Sequence, residues 1–326
     1  MTNTSSGSSY SVAKRRSDDP KISVVICTWN RAAMLERALK SLSEMDAEAT
    51  DWELIIVDNN CTDETSHLLS TFAERLPLQV VNEPRPGLAV ARNRGLQAAS
   101  GDWVILTDDD VRVSRNWISA YANAFEKWPE AAYFGGPITP EFESTPPPWV
   151  EQCGPLVDGL LVKLDFGPSE RILEHSELPW GPSMAVKASV LKRHGFDERF
   201  GLVGSEAVRG EETFVLRAIR DEGHQGVWVP GAAVDHWIPN SRLTEESVQE
   251  YYHGAGRAIV RGYDFNNQKL GFKYRLAAQF GPVVGNTLSW IGELLTRQPA
   301  MRTRIRTAVC EGIRDELAAM NQKASH

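Results

Sequence analysis

Several features that mark large classes of protein are missing from this sequence. Its four cysteines lie far apart without a CxxC pair, which excludes a dense disulfide framework and a cysteine zinc site. The most apolar late stretch, residues 278–295, is interrupted by glycine, proline, asparagine and glutamate, which argues against a bilayer span. The first twenty residues lack the apolar core of a signal peptide. We therefore expect reduced thiols and a cytoplasmic location.

The sequence also has no excess of basic residues. The net charge is −8 at pH 7, which argues against nucleic-acid binding. The charge is uneven, because residues 241–326 carry 12 Lys and Arg against 8 Asp and Glu. Four arginines of that segment are closely spaced: Arg302, Arg304, Arg306 and Arg314. We interpret them as a solvated helical face, with peripheral contact to the cytoplasmic face of a membrane, or a homodimer, as alternatives.

The composition that is present, 42% apolar and 24% charged, is ordinary for a globular protein. Short apolar runs at 22–27, 54–57, 78–81 and 103–106 alternate with amphipathic segments. This alternation is typical of βαβ units, so we predict an α/β fold with a mostly parallel sheet flanked by helices. In such sheets ligands bind outside the carboxyl ends of the strands.

The rest of the chain is divided by its pattern. We predict a disordered tail over residues 1–20, an α/β domain over 21–240 and a helical extension over 241–326, broken near 281–282 and 298–299. Residues 140–182 are rich in proline and glycine and show no periodicity, which predicts a long active-site loop, either a lid or a loop that binds the acceptor.

The later part of the α/β domain carries weaker patterns. The spacing of apolar residues predicts a helix over 186–193 and another that begins after residue 210. Two short apolar runs, 226–229 and 232–234, predict short strands.

A run of three carboxylates, Asp108 to Asp110, directly follows the apolar stretch 103–105. Like charges this close repel one another, and a divalent cation bound between them removes the repulsion. The ordinary alternative is a solvated acidic turn. The run therefore indicates a metal that handles a phosphate-bearing substrate.

Six segments, in this order along the chain, resemble the motifs of family 2 glycosyltransferases. They are residues 22–31, 55–65, 87–95, 108–110, 210–212 and 234–236. The resemblance covers roughly residues 21–240 and implies the GT-A fold, in which a sugar is transferred from a nucleoside diphosphate. The donor is then a UDP- or GDP-linked sugar.

The resemblance also implies a metal centre. Asp108 and Asp110 match the outer aspartates of the family's Asp-any-Asp motif, with Asp110 on the metal and Asp108 nearer the ribose or a water ligand. His236 resembles the histidine that meets the metal or the diphosphate; the alternative is a structural histidine packed beside Trp237. Oxygen ligands suit Mg²⁺ or Mn²⁺, and a nitrogen ligand favours Mn²⁺.

The predicted donor contacts follow the strands of the α/β domain. They are Thr28, Asn30, Arg31, Asp58, Arg85, Arg92, Asn93, Asp108 and Asp109. Asp58 is expected at the base or ribose, and Thr28 at the same pocket, whereas an Asx turn and a strand-end hydroxyl are their ordinary interpretations. Arg85, Arg92 and Asn93 are expected near the diphosphate and sugar, although Arg92 and Asn93 also suit a helix cap or a salt bridge.

The acceptor hydroxyl needs a general base, and Glu211 or Glu212 at a helix start is the candidate. In the family this motif usually ends Glu-Asp, so Glu212 occupies the base position with a longer side chain. The chemistry implied is single displacement with inversion. Trp180 and Gly181 are predicted to contact the acceptor, a glycan or lipid-linked glycan, because an aromatic face stacks on a sugar ring. The alternative for Trp180 is a place in the core.

The sequence lacks the motifs that two other enzyme classes require. A nucleotidyltransferase needs a glycine-rich loop after the first strand, where this chain has Cys27 to Arg31. A dinucleotide-dependent oxidoreductase needs a GxGxxG after an early strand. A catalytically silent module that binds nucleotide sugars stays open as the alternative function.

Overall fold

The computed structural model describes residues 22–47, 50–203, 206–208, 210–265, 271, 274, 276, 279–280 and 301–323. The predicted tail over 1–20 and the predicted breaks at 281–282 and 298–299 lie outside these residues.

The first half of the chain alternates strands and helices, and its first four strands are the predicted ones. The strands are β1 (Ile22–Thr28), β2 (Trp52–Asp58), β3 (Leu78–Asn82), β4 (Trp103–Asp108) and β5 (Val111–Val113). The helices are α1 (Ala32–Ser43), α2 (Thr65–Phe72), α3 (Leu88–Ala98) and α4 (Trp117–Lys127). The apolar residues of α1 lie on one buried face, at the spacing of helical turns: Leu35, Ala38, Leu39 and Leu42.

The second half contributes shorter elements. Its strands are β6 (Tyr133–Gly135), β7 (Ile138–Phe142), β8 (Arg171–Ile172), β9 (Met184–Lys187), β10 (Gly201–Val203), β11 (Glu206–Val208), β12 (Gly226–Trp228) and β13 (Val234–Ile238). Its helices are α5 (Pro148–Cys153), α6 (Asp158–Leu161), α7 (Ala188–His194), α8 (Glu211–Asp221), α9 (Glu245–Phe265) and α10 (Met301–Lys323).

The largest sheet has the strand order β3-β2-β1-β4-β9-β6-β12-β8. The neighbours β3, β2, β1 and β4 are parallel, whereas β9 runs antiparallel between β4 and β6. In this register Thr28 lies opposite Asp58, and Cys27 lies opposite Asp108. The carboxyl ends of β1, β2 and β4 therefore meet at one edge. The predicted α/β class is confirmed.

Glycine brings α3 close to this sheet. A Cβ at Gly95 would lie 2.4 Å from Cγ1 of Val25 in β1, so a larger residue would push the helix away from the strand. The helix begins after Gly87, whose φ of 133° is in the region that favours glycine. Together these glycines place the side chains of α3 beside the strand ends.

The prediction that residues 140–182 form one continuous irregular segment is wrong. It contains the end of β7, both α5 and α6, and β8. The prolines that suggested a loop instead mark a helix start, since Pro148 occupies the first position of α5, where its missing N–H costs nothing.

Two further local predictions differ from the structure in their bounds. The predicted helix over 186–193 begins two residues later, because Met184 to Val186 are fully buried in β9 and pair with strands on both sides. The predicted strand over 232–234 belongs further along, so His236 lies within β13 rather than after it. In both places pairing partners distant in sequence override the local pattern.

Backbone contacts divide the chain into two compact units. The first comprises Met1–Ile138, Asp165–Phe196 and Val215–His236 and holds the large sheet. The second comprises Thr139–Leu164, Asp197–Phe214 and Trp237–His326. The domain boundary expected after residue 240 stays a prediction.

In the second unit α9 packs on α10 along glycines. A Cβ at Gly256 would lie 2.2 Å from the Val309 carbonyl oxygen, and one at Gly312 would lie 1.9 Å from that of His253. The helices thus approach at backbone contact. Within the described part of the chain, no helix is long and apolar enough to cross a membrane.

Candidate metal and donor-binding site

Strand pairing in the first unit brings three distant ligand candidates together. Asp108 ends β4 and Asp110 follows at the turn into β5, which pairs antiparallel with β13 so that Val111 faces His236. One ligand atom each from Asp108, Asp110 and His236 lies within 4.8 Å of the others. Nε2 of His236 is 3.3 Å from Oδ1 of Asp110, and both side chains are buried.

This donor set fits a small divalent cation. Two carboxylates supply the hard oxygen ligands that Mg²⁺ and Mn²⁺ prefer, and an imidazole nitrogen suits Mn²⁺ better than Mg²⁺. A site with few protein ligands leaves positions for phosphate oxygens and water. The three residues could therefore hold a metal together with a diphosphate.

Three of the predicted donor contacts touch each other beside this cluster. The Thr28 hydroxyl donates to Oδ2 of Asp109 at 2.8 Å. The guanidinium of Arg31 donates through Nη1 to Asp109 at 2.6 Å and through Nη2 to Oδ2 of Asp110 at 2.7 Å. Thr28, Arg31 and Asp109 thus form a hydrogen-bonded chain that ends on Asp110.

Burial and charge act in opposite directions in this chain of contacts. Burial raises the pKa of Asp109 to about 7, although the charge of Arg31 and the Thr28 hydrogen bond favour the carboxylate. For Arg31, burial acts to lower the pKa, but the charges of Asp109 and Asp110 outweigh it and raise the pKa above its ordinary value. Arg31 therefore stays protonated.

A second arginine reaches the cluster from α3. Nη2 of Arg92 lies 3.4 Å from Oδ1 of Asp108, and its guanidinium carbon lies 5.7 Å from the ring centroid of Phe196. Asn93 holds Phe196 through two hydrogen bonds of 2.8 Å, donating to its carbonyl and accepting from its N–H. Asn93 is thus occupied in positioning Phe196, and its predicted contact with the donor stays a prediction.

The loop after β2 is arranged by local hydrogen bonds. Asp58 accepts the N–H of Cys61 at 2.7 Å, a local contact that spans three residues, one more than an Asx turn. Oδ1 of Asn30 accepts the N–H of Thr62 at 2.7 Å, and Asn30 has a φ of 52°. Burial raises the pKa of the Cys61 thiol to about 11. Asp58 and Asn30 therefore lie at the predicted edge, each with a contact that shapes the loop.

Sequence reasoning missed Asn59 and Glu83. Asn59 is buried, donates to the carbonyls of Glu83 (2.8 Å) and Arg85 (2.6 Å), and accepts the N–H of Gly87 at 3.1 Å. The carboxylate of Glu83 accepts from the Arg85 backbone N–H and guanidinium, which lowers the pKa of Glu83. The only signal for Asn59 was its place among polar residues after a strand.

The predicted acceptor residues lie in the first unit. Trp180 is partly buried and directly precedes a 3₁₀ turn, Gly181–Ser183. The carbonyl of Pro182 in that turn accepts the Thr107 hydroxyl at 2.8 Å, which joins the turn to β4. The roles of Trp180 and Gly181 stay predictions.

The predicted base residues lie in the second unit. Helix α8 begins at Glu211, which is buried and accepts the N–H of Gly210 at 3.1 Å. Glu212 is half-buried. The helix start is where the sequence predicts it, and the structure makes Glu212 the more accessible of the two carboxylates.

A mostly parallel sheet, with aspartates at the end of β4 beside a histidine of β13, places the chain in the class of glycosyltransferases with the GT-A fold. Residues 23–197 match glycosyl transferase family 2, which is more than half of the chain. The chain belongs to glycosyl transferase family 2 and is a glycosyltransferase.

Among curated proteins, the chain is similar to a glucosyl-dolichyl phosphate glucuronosyltransferase from Haloferax volcanii. The two are 25% identical over 221 residues, which cover 66% of this chain and 69% of that protein. It is also 34% identical over 94 residues to a GalNAc(5)-diNAcBac-PP-undecaprenol beta-1,3-glucosyltransferase from Campylobacter jejuni, covering 28% of this chain and 30% of that protein.

Solved structures share the fold. The mannosyltransferase PcManGT from Pyrobaculum calidifontis, in complex with GDP-Man and Mn²⁺, has a TM-score of 0.60 at 19% identity, over 95% of this chain and 90% of that one. TarS residues 1–349 from S. aureus, in complex with UDP, has a TM-score of 0.53 at 15% identity, over 93% and 92%. The predicted GT-A fold is confirmed.

Proposed function

We propose that this protein is an inverting, metal-assisted glycosyltransferase that moves a sugar from a nucleoside diphosphate to a hydroxyl acceptor. The observation that carries this proposal is the convergence of Asp108, Asp110 and His236 beside the carboxyl end of β4, a strand of the large, mostly parallel sheet. Parallel sheets of this kind bind nucleotides at that edge.

Negative charge grows on the diphosphate as the sugar leaves, so the site must present positive charge there. A divalent cation held by Asp108, Asp110 and His236 would supply this charge stabilisation. The chain adds two fixed cations beside the same carboxylates, Arg31 and Arg92. Similar structures that bind GDP-Man with Mn²⁺, or UDP, support a GDP- or UDP-linked donor.

The acceptor hydroxyl must lose its proton as it attacks, and Glu212 is our candidate base. Its partly open position at the first turn of α8 supports this choice over the buried Glu211. A base acting on the acceptor, opposite the leaving group, gives single displacement with inversion at the anomeric carbon.

We propose a glycan, or a lipid-linked glycan, as acceptor. Support comes from the relatives named for dolichyl phosphate and PP-undecaprenol substrates. Work on such an acceptor would place the protein at the cytoplasmic face of a membrane. Helix α10 offers limited free charge for that contact, because Arg302 donates to the Gln152 carbonyl and Arg304 pairs with Glu245 at 2.5 Å. Membrane contact and a homodimer stay predictions.

A thermal-shift panel tests the donor class. The full chain is heated with UDP, GDP, ADP or CDP, each with and without Mn²⁺. We expect one diphosphate to raise Tm only when Mn²⁺ is present, since a ligand at 100 times its Kd stabilises by about 2.7 kcal/mol. Asp110→Asn should abolish the shift, whereas Asp102→Asn, an exposed aspartate before β4, should retain it. Metal-independent shifts for every nucleotide would contradict the proposal.

A further inference from the structure

Arg31 contacts the candidate metal site on the side away from the histidine. Its Nη2 donates to Oδ2 of Asp110 at 2.7 Å, whereas Oδ1 of the same carboxylate lies 3.3 Å from Nε2 of His236. The two oxygens of Asp110 therefore have different neighbours. One faces Nε2 of His236, and the other faces the guanidinium.

The guanidinium of Arg31 is also held in place by Asp109. Its Nη1 donates to Asp109 at 2.6 Å, and Asp109 is held in turn by the Thr28 hydroxyl at 2.8 Å. The Asp109 side chain is 5% exposed and that of Arg31 is 40% exposed. A planar fork with two donors can hold two carboxylates at a set angle, which an ammonium group cannot.

From this geometry we propose that Arg31 is a positioning residue that orients Asp110 for the metal, with Asp109 as its buried anchor. The middle aspartate of the run then serves Arg31 and not the donor nucleotide. The inference rests on the metal site of the proposed function and adds to it a residue that holds a ligand without touching the metal.

The expected size of the effect follows from metal sites in general. Groups that hydrogen-bond a ligating side chain change metal affinity by about 10–100-fold when they are replaced. Charge acts in the opposite direction, because a nearby cation repels the metal and its removal would strengthen binding. A variant that keeps the charge but loses the fork isolates the positioning effect.

Arg31→Lys is that variant. Mn²⁺ alone is titrated into the full chain without nucleotide, and the free ion is followed by electron paramagnetic resonance. We expect Arg31→Lys to bind Mn²⁺ about 10-fold more weakly than the wild type, while its Tm in EDTA changes by only a few degrees. The control is Arg193→Lys, which alters an exposed pair with Glu222 and should leave the affinity unchanged.

Wild-type affinity in a folded Arg31→Lys protein overturns the inference and leaves the metal site standing. Failure of the wild type to bind Mn²⁺ overturns the metal site and, with it, the inference. If Arg31→Lys does not fold, Thr28→Val takes its place, because it removes a hydrogen bond from Asp109 without adding or removing a charged side chain. There we expect about a 3-fold loss, and unchanged affinity counts against the proposal.

Discussion

Asn59 holds two loops of the donor edge together, and replacing it by aspartate tests how much they depend on it. Its side-chain amide donates to two carbonyls in the loop after β3, those of Glu83 and Arg85, and its oxygen accepts the N–H of Gly87. Asn59→Asp keeps the volume of the side chain and removes both donors. The new carboxylate would face two carbonyl oxygens from which water is largely excluded.

The cost can be worked from the contacts. Each neutral hydrogen bond contributes about 0.5–1.5 kcal/mol, so the loss of two, with repulsion in their place, should cost about 3 kcal/mol. For a chain of 326 residues that lowers Tm by roughly 4–5 °C. The unfavourable setting raises the folded-state pKa of the new carboxyl, so the destabilisation should grow as pH rises above about 4.

Differential scanning calorimetry between pH 4 and 8 measures this effect. Asn82→Ala, an exposed asparagine at the end of β3, provides the control and should change Tm by no more than about 1 °C. The Asn59 variant should also bind the nucleoside diphosphate more weakly, since the loop from Glu83 to Gly87 loses its support. If Asn59→Asp unfolds within about 1 °C of the wild type at every pH, the reasoning is refuted.

Two other variants probe the second unit. Glu316 is buried and accepts from Arg257 and Arg261 at 2.8 Å each, so Glu316→Gln should lower the free energy of unfolding by about 3 kcal/mol. Burial acts to raise the pKa of Glu316, but the arginines lower it overall. In urea titrations, the loss of unfolding free energy relative to wild type should therefore be complete above about pH 4.5 and should shrink on acidification. A loss that does not depend on pH would contradict this prediction. Glu212→Gln should reduce sugar transfer at least about 100-fold and leave nucleotide binding unchanged, with Glu211→Gln as the comparison. Equal activity of the wild type and Glu212→Gln would exclude Glu212 as the base.

The first strands could be predicted because their apolar runs need no partner information. Residues of β1, β2 and β4 are buried on both faces, and continuous apolar runs are typical of such strands. The second half could not be predicted as well. Strand β9 is short, and its strand conformation depends on pairing with β4 and β6, which no local pattern reports.

The clustering of the three candidate metal ligands could be predicted, whereas the contacts around them could not. The resemblance named Asp108, Asp110 and His236, and pairing of β5 with β13 brings them together. The pairing of Arg31 with Asp109 depends on a fold that places residues 78 positions apart in contact. Spacing along the chain carries no such information, so a donor-binding role was the natural interpretation for both.

One measurement tests the central claim most directly. Crystals of the full chain are soaked with Mn²⁺ and the diphosphate chosen by the thermal-shift panel, and anomalous scattering locates the manganese. We expect one strong peak bounded by Asp108, Asp110 and His236, in contact with diphosphate oxygens. A bound nucleotide without manganese among these three residues would contradict the account.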